Sequence, residues 1–589
     1  MRISVVVATF NRRASLKNLL ESLFRQDIEP ARMEIIVVID GSTDGTQDML
    51  GELRSPCSMR VLAQGNAGQA AARNAGWQLA SAAVVLFLDD DLECPPNLLS
   101  VHLAAHGVSD DCVVVGRIDS SADGRPTLAH DLLRRQLLAW EQRLAQSPEL
   151  RWPEDAYVST NCSVSRRLLE VVGGFDPSFY RALEDHDLGL RLWAQSGRFV
   201  YEPKAVVQQK YSKASVDAVR DEIWYGRCEV LLGQKYPSSL QHTLLARLAA
   251  MGWWRQRLLR LFAAFPASAR LVLGVPISLI ERIPAPESAM ALGRRMLAFW
   301  MQATRLRAAV QAMGGWTAFD ATFSRRLAVL MYHHVGPART GTYPDLTVSA
   351  ETFERQISAL ARRGYTGISP TDYLSWRLGK SALPSRAVMV TFDDGYADIA
   401  QYAFPVLASF GFGSCVFIVT GEIGGTNSWD EARGSATHRL LTREQIGEWQ
   451  GKVVEFGGHS RTHVSLPSTA LRELNEEIAG CRVDMQHLTG LCPVAFAYPY
   501  GDFDSRVVAE VRTAFSLAFT AEEGLNYLST DPHLLRRTMV LPRDSGRVVV
   551  LRALLGYSPR DVLLRWRSVA TRPVKRLISH LRGAWLDAA

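Results

Sequence analysis

Uncharged, β-branched runs recur along this chain, and between them the apolar residues fall at helical spacing. The first run is Ile3-Ser-Val-Val-Val-Ala-Thr9; Leu16, Leu19, Leu20, Leu23 and Phe24 follow at intervals of mostly three and four; the next run is Ile35-Ile-Val-Val-Ile39. After another helical stretch comes Val84-Val-Leu-Phe-Leu88. Apolar positions three and four apart share one helix face, whereas an apolar run without polar alternation suits a strand covered on both faces. Strand–helix–strand alternation of this kind predicts a parallel sheet flanked by helices. Ligands of such sheets bind beyond the carboxyl ends of the strands. Those ends are polar here: Thr9-Phe-Asn11, Asp40-Gly-Ser-Thr-Asp44 and Asp89-Asp90-Asp91. Strand-like runs return at Leu327-Ala-Val-Leu-Met-Tyr332 and at Ala387-Val-Met-Val390, which leads into Thr391-Phe-Asp-Asp-Gly395.

Asp393 and Asp394 end a strand, and neighbouring strand side chains point to opposite sides. One carboxylate can therefore hold a metal while the other stays free as a general base. His459 and His463 sit four apart in His459-Ser-Arg-Thr-His463, which puts both imidazoles on one side if they lie on a helical turn. Two histidines and one carboxylate make a catalytic-type site with room for water and substrate, as zinc prefers. An Asp-Asp-Gly by itself is usually a turn. The order of these segments, with Ala497-Tyr-Pro-Tyr-Gly501 downstream, resembles the polysaccharide deacetylases of the NodB-homology type (carbohydrate esterase family 4) over about residues 320–545. The resemblance implies Asp393 as base, Asp394, His459 and His463 as ligands of Zn²⁺ or a similar divalent metal, and the main-chain N–H of Tyr500 as oxyanion donor. Two departures stand out. Ala497 occupies the place of the family's base-orienting Arg, and Phe515–Thr520 lacks the late Leu-x-His that supplies the acid. His333 and His334 are candidates for that acid, with a structural role at a strand end equally open.

In the first half, three adjacent acids at Asp89–Asp91 repel one another unless a cation sits among them; Mg²⁺ or Mn²⁺ bridging a diphosphate is the natural occupant, with a solvated acidic loop equally open for the triplet alone. Together with Asp40-Gly-Ser-Thr-Asp-Gly-Thr46, Gly173-Gly-Phe-Asp176 and Glu184-Asp185-His-Asp-Leu-Gly-Leu-Arg191, the triplet resembles the family 2 glycosyltransferases of GT-A fold over about residues 1–230. The resemblance implies that Asp40 contacts the nucleotide base or ribose, with Thr9 and Asp44 nearby. It implies that Asp89 and Asp91 hold the metal and the sugar nucleotide, and that Asp185 deprotonates the acceptor hydroxyl, giving inversion. A base is needed there because a sugar hydroxyl is a weak nucleophile. Ile39 and Ala8 replace an acid and a proline of the family pattern, and Gln208-Gln209 stand where a histidine often follows the base.

At 589 residues the chain is too long for one core. Its 47% hydrophobic and 21% charged content is globular. Eight cysteines without CxxC spacing, and no basic–apolar leader before Ile3, predict a reduced, cytosolic setting for the first half. Net charge is +6, and from Leu541 onward ten Arg or Lys face three Asp. This tail reads as a basic amphipathic helix suited to an anionic membrane, with a solvated last helix as the alternative; no motif for reading nucleic acid is present. Between the halves, Leu261–Ile280 carries Arg270 as its one charge but is interrupted by Pro266, Gly274 and Pro276. That pattern favours interfacial helices or a re-entrant hairpin over one crossing. Met290–Met313, with Arg294-Arg295, is amphipathic too.

The expected architecture is α/β: a Rossmann-like GT-A domain with a mostly parallel sheet (1–235), a helical membrane-contacting connector (236–320), a NodB-like (β/α) barrel (321–545) and a basic tail (546–589). The expected function is sugar transfer from a nucleotide-sugar to a glycan or lipid-linked acceptor, coupled to N-deacetylation of an N-acetylhexosamine, at the cytoplasmic face of a membrane. The alternative is an active transferase whose C-terminal half binds glycan without catalysis, or removes O-acetyl groups.

Overall fold

The computed structural model describes residues 2–107, 111–122, 126–146, 159–195, 198–211, 213–283, 285–337, 346–431 and 437–557. The basic tail beyond 557 lies outside them. The chain forms two compact units that divide between Ala318 and Phe319.

In the N-terminal unit the predicted runs are strands: β1 (Ile3–Thr9), β2 (Met33–Asp40), β3 (Ser58–Gln64) and β4 (Val84–Asp89). With β5 (Leu92–Glu93), β6 (Cys112–Ala122), β7 (Asn161–Ser165) and β8 (Arg198–Tyr211) they form one sheet in the order β3-β2-β1-β4-β7-β6-β8-β5. The first four run parallel, while β7 is antiparallel to β4 and to β6. Continuous apolar runs serve here because both faces are covered. Val5, Val7, Ile35, Val37 and Ile39 join one core cluster, and the alternating Val6, Ile36 and Val38 join another.

Helices Ser215–Lys235 and Glu287–Ala312 pack together, with Arg305 bridging buried Glu222 and Glu229. The Met290–Met313 pattern therefore faces protein: Leu297, Trp300, Ala303 and Leu306 are buried. Among the described residues no single helix is long and apolar enough to cross a membrane. Trp253–Ala264 and Pro266–Arg282 pass that test only as a pair, and they bend by 106°. The bend falls where Pro266 excludes the helical conformation from Phe265, whose ψ is 75°.

The C-terminal unit is a curled parallel sheet. Strands Leu517–Phe519, Ala495–Ala497, Val454–Gly458, Ser414–Ile418, Ala387–Phe392 and Arg326–Tyr332 lie side by side in that order, all parallel. One short segment links the two edges. Leu535 bridges to Phe519, and Thr538–Met539 pairs with Leu330–Met331. The result is an α/β chain with a GT-A-type N-terminal sheet and a NodB-like C-terminal barrel. All eight cysteines are free thiols.

Candidate active sites

In the N-terminal unit, β1 pairs in register with β2 and β4, Thr9 opposite Ile39 and Ala8 opposite Asp89. Thr9, Asp40 and the acidic triplet therefore emerge at one end of the sheet. Asp40 is buried and accepts from the N–H of Ala67 (2.8 Å) and Gly68 (2.9 Å) and from Gln64 Nε2 (2.8 Å), which pins the loop after β3. Asp44 accepts from the N–H of Arg13 (2.9 Å) and Thr46 (3.2 Å), and the Thr46 hydroxyl above all holds its carboxyl below the ordinary value.

The three acids are held by different partners. Asp89 accepts from Arg73 at 2.8 Å and from the Thr160 hydroxyl at 3.0 Å. Asp90 accepts from the Thr9 hydroxyl at 2.7 Å and from Arg12 Nη1 at 3.0 Å. Asp91 accepts from the same Arg12 nitrogen at 2.9 Å and from Gln209 Nε2 at 3.4 Å. Burial pushes the Asp90 carboxyl up to about 6 against the pull of Arg12, and burial with nearby Asp89 raises Asp91. Arg73 also binds Glu184 at 2.8 Å, tying the triplet to helix Glu184–Ala194. Asp185, in that helix's first turn, accepts from the His186 N–H at 2.8 Å and meets His186 Nδ1 at 3.0 Å. Burial would raise its carboxyl, but His186 outweighs burial and holds it low.

In the C-terminal unit, strand Ala387–Phe392 delivers Asp393 and Asp394 into the barrel mouth, and Asp394 adopts a φ of 70°. Its Oδ1 lies 3.3 Å from His459 Nε2 and 3.1 Å from His463 Nε2, and all three groups are buried. One ligand atom from each falls within 4.8 Å of the others. The histidines do not meet on a helical turn. They follow strand Val454–Gly458 in a bend where Ser460 and His463 have φ of 61° and 58°, and Ser460 Oγ accepts from the His463 N–H at 3.0 Å. His459 Nδ1 meets the Ala497 carbonyl at 2.8 Å, so Nε2 faces the site. Trp429 stacks on the His463 ring at 4.6 Å and Tyr500 meets it edge-on at 4.5 Å. Against burial, the two imidazoles, His463 foremost, hold the Asp394 carboxyl well below its usual range, and Asp394 raises His459.

Asp393 is gripped by Arg537, with Nη1–Oδ1 at 2.5 Å and Nη2–Oδ2 at 2.9 Å. Burial would raise this carboxyl, but the guanidinium together with His459 and His333 holds it below its ordinary value. Of the two histidines at 333–334, His334 is committed, with Nδ1 2.8 Å from Asp398 and its ring stacked on Tyr396 at 3.6 Å. His333 is lowered by burial and drawn up by Asp394 and Asp393.

Comparison with known proteins joins these geometries to families. Residues 4–173 match the family model "Glycosyl transferase family 2", and residues 380–515 match "Polysaccharide deacetylase". The chain pairs a family 2 glycosyl transferase domain with a polysaccharide deacetylase domain. The transferase domain is similar to validoxylamine A glucosyltransferase of Streptomyces hygroscopicus subsp. limoneus, 32% identical over 33% of this chain and 48% of that protein. The chain thus spans about half the length of that relative. The deacetylase domain is similar to YxkH of Bacillus subtilis (strain 168), a protein assigned as a polysaccharide deacetylase, 26% identical over 38% of this chain and 74% of that protein. Among solved structures, the Streptococcus pyogenes deacetylase PplD in complex with acetate overlaps 39% of this chain and 97% of its own, at 22% identity and a TM-score of 0.34.

Sequence reading missed three arginines of these domains. Arg537 comes from the segment that closes the deacetylase barrel, 144 residues from Asp393. The Arg536-Arg537 pair between Leu534-Leu535 and the apolar Met539-Val540 was its one signal, and nothing in it singled out Arg537. Arg12 and Arg73 carried none. Both domains have donors that fit a divalent cation. In the deacetylase, His463 Nδ1 is buried without a hydrogen-bond partner among the described residues, so the ring is set by its packing against Trp429 and Tyr500 and by its contact with Asp394. In the transferase, among the described residues, the Asp91 Oδ1 has only the 3.4 Å contact to Gln209, which leaves it open to a cation.

Proposed function

We propose that the chain is a bifunctional carbohydrate enzyme that adds a sugar from a nucleotide-sugar donor to a glycan or lipid-linked acceptor and removes an N-acetyl group from an N-acetylhexosamine. Transfer belongs to about residues 1–235, with inversion, and hydrolysis to about 321–545. The observation that carries the reading is the Asp393–Arg537 fork set beside Asp394, His459 and His463. A divalent cation such as Zn²⁺ on those three groups would polarise the acetyl carbonyl and acidify a water. Asp393, kept ionised and aimed by Arg537, takes the proton of the attacking water. The N–H of Tyr500, whose φ is 60°, meets the developing negative charge, and His333, which interacts electrostatically with Asp394 and Asp393, is the candidate to protonate the leaving amine.

In the transferase domain, Thr9, Asp40 and Asp44 shape the nucleotide end, Asp40 through the loop it pins. Asp89 and Asp91 face the diphosphate, with Asp91 as ligand for Mg²⁺ or Mn²⁺, which would neutralise the leaving phosphate. Asp185, ionised beside His186, takes the acceptor proton. Tethering the two domains raises the effective concentration of one site near the other's product. Lipid-linked acceptors also suit a location at the cytoplasmic face of a membrane.

The test is acetate release from N-acetylglucosamine oligomers and lipid-linked N-acetyl sugars, with Asp393→Asn alongside. Metal-dependent release that the variant lacks supports the reading. Metal content separates the alternatives: a purified chain without bound divalent metal would be a glycan-binding half, and release confined to O-acetyl esters would make it an esterase.

A further inference from the structure

Helices Trp253–Ala264 and Pro266–Arg282 each carry two apolar stripes. One stripe faces the protein. Leu259 and Ala263 on the first helix and Ala269, Leu273 and Ile277 on the second are buried, the last three packed with Leu128, Leu297 and Trp300. The other stripe faces out. Trp254, Leu258, Leu261 and Phe265 are 58%, 39%, 53% and 56% exposed, and Val272, Val275 and Leu279 are 52%, 58% and 58% exposed. Intervals of three and four place each set along one helix face. Scattered apolar side chains on a surface are ordinary, but two contiguous stripes meeting at a bend mark an interaction surface.

Charge identifies the partner. The pair carries Arg255, Arg257, Arg260, Arg270 and Arg282 and a single carboxylate, Glu281. That carboxylate turns inward, accepting from the Leu128 N–H at 2.8 Å and the Ser215 hydroxyl at 2.6 Å. The outward face is thus an apolar ridge set among arginines, with Trp253 and Trp254 at its start and Arg257 over the Trp253 ring at 5.2 Å. Tryptophan and arginine around an apolar ridge match the headgroup level of a bilayer bearing anionic lipid.

We propose that this bent pair is a monotopic anchor lying in the headgroup–acyl boundary of an anionic leaflet. It gives the membrane location proposed above a defined surface. Three features separate it from a crossing. The first helix has 12 residues, ~18 Å of rise against a hydrocarbon core of ~30 Å. The 106° bend turns the second helix away from that axis. Immersion on all sides would also strip Ala269, Leu273 and Ile277 from the core they complete. The outward stripes alone are available to lipid, so insertion is shallow.

The full-length protein is to be sedimented with phosphatidylcholine vesicles with and without phosphatidylglycerol, alongside Leu261→Asp/Phe265→Asp, Val275→Asp/Leu279→Asp and Arg255→Gln/Arg257→Gln. The substituted positions are exposed, and unchanged thermal melting checks that each variant folds. Binding to phosphatidylglycerol vesicles, weakened about tenfold or more by either Asp pair and made less salt-sensitive by the Gln pair, supports the anchor; so does release by alkaline carbonate. Absence of binding, or binding that both Asp pairs leave intact, overturns it. Bound protein that resists carbonate would make the pair a crossing, and self-association lost in the Asp variants without vesicle binding would make it a dimer face. Because the readout is binding, it stands or falls separately from acetate release and sugar transfer.

Discussion

Asp393 in the deacetylase domain is gripped by an arginine whose side chain is 1% exposed, whereas Asp90 and Asp91 in the transferase domain share an arginine whose side chain is 43% exposed. Both arrangements solve one electrostatic problem, since a carboxylate taken out of water needs a countercharge. They solve it for different purposes. A buried two-pronged fork fixes charge and direction together, which suits a base that must stay aimed through a reaction. A solvated guanidinium screens the acid triplet yet can leave it, which suits a site that takes up a cation together with a diphosphate.

Replacing the aimed carboxylate breaks the comparison most sharply. Asp393→Asn is expected to lower deacetylation by about 10³-fold, a normal share for a general base, while sugar transfer by the same sample is unchanged. Equal loss of both activities would show that the variant misfolds. Arg537→Met comes next. Removing one partner of a buried ion pair costs ~3–5 kcal/mol, so the deacetylase transition in calorimetry should fall while the transferase transition holds. A variant melting like the wild type would mean that the fork contributes nothing to the fold.

Acid separates the domains more gently. In the transferase, His102 meets the Ser163 hydroxyl at 2.8 Å and Asn161 at 3.0 Å, and His106 meets the same hydroxyl at 2.8 Å. Burial lowers both imidazoles to about 4. The unfolded chain takes up these protons near pH 6.5 and the folded domain only near pH 4, so stability falls as pH drops through that window. The loss is on the order of 3 kcal/mol for each histidine. His102→Asn should flatten the pH dependence of the transferase melting temperature; an unaltered slope would remove the explanation. The smallest effect is expected at Arg12. Arg12→Ala should tighten binding of Mn²⁺ in the absence of donor by about tenfold, read from the free-ion spin-resonance signal, because the acids lose their competing cation. Weaker binding would mean that Arg12 organises the acids instead of screening them.

The strands were legible because a parallel strand buried on both faces leaves an unbroken apolar run. Val84–Leu88 and Ala387–Val390 lie inside observed strands for that reason. The Asp394, His459 and His463 cluster was legible from spacing, though the turn that makes it was not. Four of the six non-glycine residues with positive φ among those described, Asp394, Ser460, His463 and Tyr500, lie at the deacetylase site, and Asn11 and Leu183 flank the transferase acids. Such conformations answer to the surrounding structure and leave no local pattern. Arg537 was hidden more deeply, since its partner is distant in sequence and the adjacent Arg536 gives it the look of an ordinary basic pair.

The segment Leu535–Met539 both closes the barrel and presents Arg537 to Asp393. An open sheet, whether still being synthesised, cut after Thr520 or unzipped at that seam, keeps its two histidines and Asp394 but leaves Asp393 without the fork that aims it. With Asp393 as the proposed base, hydrolysis waits on the segment that closes the barrel, so that seam doubles as an assembly check.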